Sequence, residues 1–240
     1  MKIKLFTIPN FVTLTNLLCG AASIISALVY KNLEMAFWFI VAAAVCDFLD
    51  GFTARLLKQY SEIGVQLDSL ADMVSFGVAP STALYALCAT SPMMYEWGEW
   101  SEVAKMSLSF VPFLMAGFSA LRLAKFNIDD TQHEEFCGLP TPANAILCNS
   151  FALVVTMLKV EVAVEWIAML SVIMAALLVS PIRMFSFKFK SWGLKANVLR
   201  YLFALSAVVA IVIWKIYAVP VIIVAYIVVS TVKWIFSRAK

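Results

Sequence analysis

The sequence predicts an all-α membrane protein, a polytopic bundle of about eight transmembrane helices, and two observations support this fold class. First, 63% of the 240 residues are hydrophobic, only 14% are charged, and the mean hydropathy is +0.91. Water-soluble domains are about 45–50% apolar and about 25% charged. Second, apolar stretches of about 20 residues, the length that crosses a bilayer as a helix, recur along the chain. Together they exclude a soluble globule, a disordered tail and a fibrous protein.

Eight such stretches follow one another with short loops between them. No internal repeat, low-complexity tract or Gly/Ser linker separates them, so we predict one integral membrane domain over 1–240. The predicted spans are 10–30, 33–57, 63–90, 105–126, 143–160, 162–181, 197–214 and 218–236.

The basic residues predict the orientation of these spans. With eight crossings, fourteen of the eighteen Lys and Arg residues fall on the side that holds both termini, and four fall on the other side. Cytoplasmic loops of membrane proteins carry an excess of Lys and Arg, so both termini are predicted to be cytoplasmic. The fourteen are Lys2, Lys4, Arg55, Lys58, Arg122, Lys125, Arg183, Lys188, Lys190, Lys195, Arg200, Lys233, Arg238 and Lys240; the four are Lys31, Lys105, Lys159 and Lys215.

Four aspartates interrupt the second and third predicted spans. Asp47 and Asp50 are three residues apart, and Asp68 and Asp72 are four apart, so each pair lies on one face of its helix. The two helices are consecutive and antiparallel, and both pairs lie near the cytoplasmic ends, so the four carboxylates can meet at one depth. Each acid at mid-membrane costs about 2.5–3.5 kcal/mol on insertion scales, which makes it a candidate for function.

Four converging carboxylates require a compensating positive charge. Oxygen ligands suit Mg²⁺ or Mn²⁺, and four carboxylates can hold two divalent cations by sharing ligands, as in two-metal phosphoryl-transfer sites. No cysteine or histidine is placed to favour zinc. Two other interpretations stay open from the residues alone: a buried acid network balanced by arginines, and a non-enzymatic cation or proton transporter.

The segment that contains the aspartates has a specific pattern. From Asp47 it reads DFLDGFTAR, then eight residues, then G, three residues, D, three residues, and the D of Asp72. This resembles the signature of the CDP-alcohol phosphotransferase family, D-x2-D-G-x2-A-R-x8-G-x3-D-x3-D, at all eight fixed positions. The resemblance implies a six-helix membrane core, here 9–181, with additional helices at 197–236. It also implies transfer of a phosphoalcohol group from a CDP-linked donor to an acceptor hydroxyl, with release of CMP.

The resemblance further implies a role for each matching residue. Asp47 and Asp68 would be shared by two divalent cations, while Asp50 would complete one metal site and Asp72 the other. Asp72 would also be catalytic, as the general base that takes the proton of the acceptor. Asn10 equally fits the N-cap of the first helix. The residues expected to bind the CDP-linked donor are Gly51, Arg55, Ser61, Asn10 and Thr13.

Two later segments resemble those of family members that use serine as the acceptor. They read LRLAKFN at 121–127 and GLPTPAN at 138–144. The resemblance implies CDP-diacylglycerol as donor and L-serine as acceptor, with Arg122, Lys125 and Thr141 on the acceptor side. Arg122 can bind a phosphate or a serine carboxylate, although Arg122 and Lys125 also fit anchors at the cytoplasmic face. Lys125 stands where arginine is commoner.

Three points complete the expectations. Glycerol phosphate, inositol and inositol phosphate are alternative acceptors for the same chemistry. Members of the family are often homodimers, so a second copy of the chain is an expected partner. The predicted location is the cell (inner) membrane, with the active site on the cytoplasmic side.

Overall fold

Helices dominate the computed structural model, which describes residues 5–95, 98–128, 136–185 and 194–238. The α-helices are α1 (Ile8–Leu28), α2 (Leu33–Leu56), α3 (Glu62–Asp72), α4 (Ala79–Thr90), α5 (Ser101–Phe110), α6 (Phe113–Ile128), α7 (Thr141–Leu158), α8 (Val164–Leu178), α9 (Leu194–Trp214) and α10 (Ala218–Arg238). A π-helical segment, Met73–Val78, joins α3 to α4, and 3₁₀ turns at Gly98–Trp100 and Lys215–Tyr217 precede α5 and α10. Two short strands, β1 (Phe136–Cys137) and β2 (Arg183–Met184), pair antiparallel.

The all-α class is confirmed, whereas the described residues give six candidate spans by length and apolar composition. Helix α8 is apolar but has only 15 residues, and α9, its following turn and α10 form one continuous helical run. The six are Ile8–Leu28, Leu33–Leu56, Glu62–Thr90, Gly98–Ile128, Thr141–Leu158 and Arg200–Ser237. Five of the basic residues used to predict the orientation, Lys2, Lys4, Lys188, Lys190 and Lys240, lie outside the described residues.

The first helix begins two residues before Asn10. Thr7 is the N-cap of α1: its Oγ1 accepts a hydrogen bond of 3.4 Å from the backbone N–H of Asn10, and Pro9 lies in the first turn. Proline suits this position because its missing N–H has no partner there anyway. The N-cap interpretation of Asn10 is therefore wrong, since Asn10 lies inside the helix with its side chain buried.

A tight turn brings α3 back beside α2. Lys58 follows the end of α2 in the left-handed conformation (φ +53°), which reverses the chain within a few residues. Ser61 then caps α3, because its Oγ accepts a hydrogen bond of 3.1 Å from the N–H of Gly64. As a result the chain reverses direction between α2 and α3, and Asp47 and Asp50 before the turn lie close to Asp68 after it.

Glycine allows α1 to approach the π-helical segment closely. A Cβ added to Gly20 would lie 2.7 Å from the Cα of Ser75, which is closer than real side chains come. The π-helical segment Met73–Val78 is wider than an α-helix. At its end the N–H of Ala79 donates a hydrogen bond to the carbonyl of Val74, five residues earlier. Pro80 comes next and has no N–H with which to continue an α-helical ladder. Segments of this kind are frequent at functional sites.

The last helix packs against the connection between α8 and α9. Tyr226 of α10 is buried and donates a hydrogen bond of 2.9 Å to the carbonyl of Phe185, directly after β2. The two rings meet edge to face, with centroids 4.9 Å apart. At the other strand, Gly138 (φ +80°) follows β1 and abuts the backbone carbonyl of Leu178. The two-stranded sheet is thus fastened to α8 and to α10.

Candidate active site

Three of the four aspartates converge between α2 and α3. Carboxylate oxygens of Asp47, Asp50 and Asp68 all lie within 4.8 Å of one another. The i, i+3 spacing in α2 and the antiparallel position of α3 bring them together, as predicted. Asp50 is buried, and Asp47 and Asp68 are partly buried. Three negative charges at this separation repel one another strongly at low dielectric, so the cluster favours a bound cation.

The unused oxygens of the cluster fit a divalent cation. Oδ1 of Asp68 is buried and has no hydrogen-bond partner among the described residues. Such an atom is costly unless a ligand satisfies it. The donor atoms are all carboxylate oxygens, the set that Mg²⁺ and Mn²⁺ prefer. The cluster is therefore chemically suited to a hard cation.

A hydroxyl of α1 borders the cluster. Oγ1 of Thr13 lies 2.7 Å from Oδ2 of Asp50 and 3.0 Å from the carbonyl of Pro9. A threonine hydroxyl has one proton and two lone pairs, so it can donate to only one of these acceptors at a time. Thr13, predicted on the donor side, therefore directly contacts one of the metal-ligand candidates.

The fourth aspartate lies beside this cluster rather than within the three-carboxylate group. Asp72 ends α3, one turn after Asp68, and is buried. Its Oδ1 accepts a hydrogen bond of 3.1 Å from Nδ2 of Asn16, which is itself fully buried in α1. The sequence interpretation missed Asn16. The available signal was the spacing of Asn10, Thr13, Asn16 and Gly20, which places these residues on one face of an otherwise apolar helix.

The residues predicted to bind the donor lie in two places around the cluster. In α2, Arg55 folds back over Gly51: a Cβ added to Gly51 would lie 3.8 Å from Nη1 of Arg55. Where α1 meets α3, a Cβ on Gly64 would lie 3.1 Å from the Oγ of Ser61 and 3.4 Å from Oδ1 of Asn10. Nδ2 of Asn10 also donates to the carbonyl of Leu5 at 2.8 Å, so it fixes the segment that precedes α1.

The predicted acceptor-side residues lie at the end of α6 and the start of α7. Arg122 is buried (8% exposed), and its Nη1 donates a long hydrogen bond, 3.5 Å, to Oγ1 of Thr141. Its Nε has no partner among the described residues. Arg122 and Lys125 line a cavity of about 120 Å³ together with Cys137 and the end of α8. Two cations beside a small cavity suit an anionic group such as a carboxylate or phosphate.

A polar contact links this acceptor side to the aspartate helix. The side chains of Ser69 in α3 and Asn127 in α6 are hydrogen-bonded, with Nδ2 of Asn127 2.9 Å from the Oγ of Ser69. Ser69 directly follows Asp68, and Asn127 ends the LRLAKFN segment. The two sequence patterns therefore meet in the fold, through residues that are 58 positions apart in the chain.

The apolar helices form a bundle, and aspartates from two consecutive helices meet within it. These features define a class of membrane protein with an acidic site that attracts cations. Comparison with known sequences identifies the family. A profile of the CDP-alcohol phosphatidyltransferase family matches residues 6–178, well over half of the chain. The chain belongs to this family.

Similar proteins carry one shared name. A Helicobacter pylori (strain J99) protein is 34% identical over 240 residues, which cover 98% of this chain and 94% of the relative. A Methanocaldococcus jannaschii protein is 31% identical over 209 residues, with 87% and 85% covered. A Bacillus subtilis (strain 168) protein is 39% identical over 139 residues, with 56% and 69% covered. Each of the three is named CDP-diacylglycerol–serine O-phosphatidyltransferase.

Proposed function

We propose that this protein transfers the phosphatidyl group from CDP-diacylglycerol to the hydroxyl of L-serine, giving phosphatidylserine and CMP. The observation that carries the proposal is the convergence of Asp47, Asp50 and Asp68, with Asp72 beside them. Membership of the CDP-alcohol phosphatidyltransferase family supports the reaction type. The shared name of relatives from two bacteria and an archaeon supports the donor and the acceptor.

Two divalent cations, Mg²⁺ or Mn²⁺, are proposed as cofactors. Asp47 and Asp68 would be shared between them, Asp50 would complete one set of ligands and Asp72 the other. When bound, the ions neutralise the diphosphate of the donor and stabilise the charge that develops on the departing CMP. The unpartnered Oδ1 of Asp68 supports this assignment.

On the donor side, Asn10, Thr13, Gly51, Arg55 and Ser61 are proposed to bind the CDP moiety. Arg55 can donate two parallel hydrogen bonds to a phosphate, and the missing side chain of Gly51 leaves the space next to its guanidinium open. Ser61 already caps α3 through its Oγ, so any contact from this hydroxyl to the nucleotide uses its proton. The acyl chains of the donor would lie in the bilayer.

The acceptor is proposed to enter from the cytoplasmic side, toward Arg122, Lys125 and Thr141. Arg122 and Lys125 would bind the carboxylate of serine in the cavity that they line. Asp72 would take the proton of the serine hydroxyl as the oxygen bonds to the phosphorus that carries diacylglycerol. The bond between that phosphorus and the bridging oxygen of the diphosphate breaks, and CMP leaves with the electron pair.

We propose that the chain forms one membrane domain over 1–240 with eight crossings and a core at 9–181. The run Arg200–Ser237 has 38 residues, about 57 Å at 1.5 Å per residue, which is nearly twice the hydrocarbon thickness. Lys215 has φ +51°, which supports a reversal between α9 and α10 rather than one span. Both termini and the site would face the cytoplasm of a cell (inner) membrane. The homodimer stays a prediction, which mass measurement in lipid nanodiscs checks.

An acceptor assay tests the proposed function. The purified protein is supplied with CDP-diacylglycerol, Mg²⁺ or Mn²⁺, and serine, glycerol phosphate, inositol or inositol phosphate in turn. We expect phosphatidylserine and an equal amount of CMP with serine, and no lipid product with the other acceptors. A lipid product formed with one of the other acceptors and not with serine would show that serine is not the acceptor. Ion flux in liposomes without CMP release would indicate that the protein is a transporter and not an enzyme.

A further inference from the structure

Asn16 is an unexpected residue in the middle of an apolar helix. Its side chain is fully buried between α1 and the end of α3. An amide without hydrogen bonds is costly in an apolar environment, so a buried asparagine in a membrane helix requires a partner. That partner is the carboxylate of Asp72, at 3.1 Å from Nδ2.

The backbone of Asn16 is fixed relative to Asp72 by a second contact. The Oγ of Ser75 donates a hydrogen bond of 2.9 Å to the backbone carbonyl of Asn16. Ser75 lies three residues after Asp72, and Gly20 allows α1 to pack directly against it. Main-chain and side-chain contacts of Asn16 therefore both end on the segment that carries Asp72. Together these two hydrogen bonds fix the position of the Asn16 amide relative to Asp72.

We propose that Asn16 is a positioning residue for the acceptor reaction: its amide N–H takes one lone pair of Oδ1 of Asp72 and so orients the carboxylate, whose remaining lone pairs serve the proposed cation and, on Oδ2, the proton of the acceptor. The inference rests on the proposed role of Asp72 as general base. Only the nitrogen of the amide can face the carboxylate, because the amide oxygen would repel it. A neutral amide also orients the carboxylate and leaves its negative charge unpaired. An arginine or lysine in that place would form an ion pair with the carboxylate.

Asn149 shows what a purely structural asparagine looks like in this bundle. It is buried in α7 (1% exposed), and its Oδ1, like that of Asn16, has no partner among the described residues. Its Nδ2, however, donates to the carbonyl of Ala145, one turn back in its own helix, at 3.0 Å. The contact with Asp72 is therefore what distinguishes Asn16, and Asn149 is its matched control.

The test compares Asn16→Leu with Asn149→Leu, because leucine has a similar size and no hydrogen-bonding group. For Asn16→Leu we expect kcat with serine to fall about 10- to 100-fold, the equivalent of one hydrogen bond to a charged group. The KM values for CDP-diacylglycerol and serine should stay within about 2-fold, since neither substrate is bound by Asn16 in this scheme. Asn149→Leu should retain the kcat of the unmodified protein. Thermal unfolding in detergent is measured for both variants.

Three results would overturn the inference: an unchanged kcat in Asn16→Leu, a change confined to the KM of the donor, or equal losses of kcat and stability in the two leucine variants. If Asn16→Leu does not fold, Asn16→Asp replaces it, since it keeps the side-chain shape and removes the N–H donor. Activity of Asn16→Asp near that of the unmodified protein would then contradict the proposal. Phosphatidylserine formation by the unmodified protein is read first, so failure of the proposed function is seen separately.

Discussion

At the residue scale, Asp47, Asp50 and Asp68 place negative charge where this chain otherwise carries almost none. Each acid costs free energy to insert into a membrane, and three together within 4.8 Å repel one another. Thr13 compensates Asp50 with a hydrogen bond, but Oδ1 of Asp68 has no partner among the described residues. The site is therefore built to receive positive charge, and its function should depend on that charge.

Replacing Asp68 tests the ligand assignment. Asp68→Asn keeps the size of the side chain and removes its charge, so we expect turnover to fall by more than about 100-fold, beyond the loss typical of residues that only support a ligand. Added Mg²⁺ or Mn²⁺ should raise the unfolding temperature of the unmodified protein and not that of the variant. Glu34→Gln, at the opposite end of α2, is the control. Near-normal turnover of Asp68→Asn would contradict the metal site.

Removal of the metal tests the same site without mutation. EDTA should abolish phosphatidylserine formation, because the uncompensated carboxylates would repel the donor diphosphate. Excess Mg²⁺ or Mn²⁺ should restore it, as followed by the release of labelled CMP. Activity that persists after exhaustive chelation would refute the proposed cofactors.

Arg122 is the residue on which acceptor binding should depend most. Arg122→Gln removes the cation that lines the cavity, so we expect the KM for serine to rise about 10-fold or more, as loss of a hydrogen bond between charged groups implies. The KM for CDP-diacylglycerol should not change. Lys105→Gln, in α5 and outside the lining of this cavity, is the control. An unchanged KM for serine would assign Arg122 to membrane anchoring.

At the element scale, the distance between α1 and the π-helical segment determines whether α1 reaches the aspartates. Gly20 sets that distance, because a Cβ there would lie 2.7 Å from the Cα of Ser75. Small residues have this role in many membrane helix pairs. Thr13 and Asn16 contact Asp50 and Asp72 from α1 only at this separation.

A pair of glycine substitutions tests this packing. Gly20→Ala should lower the free energy of unfolding by about 1–3 kcal/mol, the usual cost of overpacking, and reduce turnover as α1 moves away. Gly117→Ala in α6 is the matched control, since an added Cβ there meets no described atom within 4 Å. That variant should be neutral or more stable by up to about 1 kcal/mol. Thermal unfolding and turnover of the two variants are measured in the same detergent. Equal stability and turnover in Gly20→Ala and Gly117→Ala would contradict the role of Gly20 in the close packing of α1.

At the scale of the whole molecule, the predicted orientation places four basic residues on the side opposite the termini, and three of these lie at helix ends. Among the described residues, four non-glycine residues have positive φ, and all are lysines close after helix ends: Lys31, Lys58, Lys159 and Lys215. Three of them are among the four bases assigned to the side opposite the termini. A positive charge is stabilised by the negative end of the helix dipole, so these lysines can stabilise the helix ends whichever side of the membrane they face.

The orientation and the number of crossings are tested by tag accessibility in intact cells. A short epitope inserted at the turn Lys215–Tyr217 should be reached from outside the cytoplasmic membrane, and one at the C-terminus only after permeabilisation. The turn is the natural insertion point because the 3₁₀ segment and the positive φ of Lys215 interrupt the α-helical geometry there. The reverse pattern, or protection of both tags, would rule out eight crossings with cytoplasmic termini.

Sequence spacing was sufficient for the features that depend on one helix or on two consecutive helices. The intervals between Asp47 and Asp50 and between Asp68 and Asp72 specify helix faces directly. Asn16 was missed because its partner lies 56 positions away and becomes apparent only when α1 packs on α3. The π-helical turn beside Asp72 was also missed, since it is a change of hydrogen-bond register that apolar periodicity does not reveal. The cavity at Arg122 needed the end of α8, which no motif connects to it.

The arrangement of α1, α2 and α3 has a consequence for the order in which the protein is made. Every residue assigned to the metal ligands and to their α1 contacts lies between Thr13 and Asp72, within the first third of the chain. Synthesis runs from the N-terminus, so the helices that carry the acidic site are made before the segments of the acceptor side. The mutual repulsion of these carboxylates is therefore built into the chain before its later helices are made, and a cation bound at that stage would relieve it.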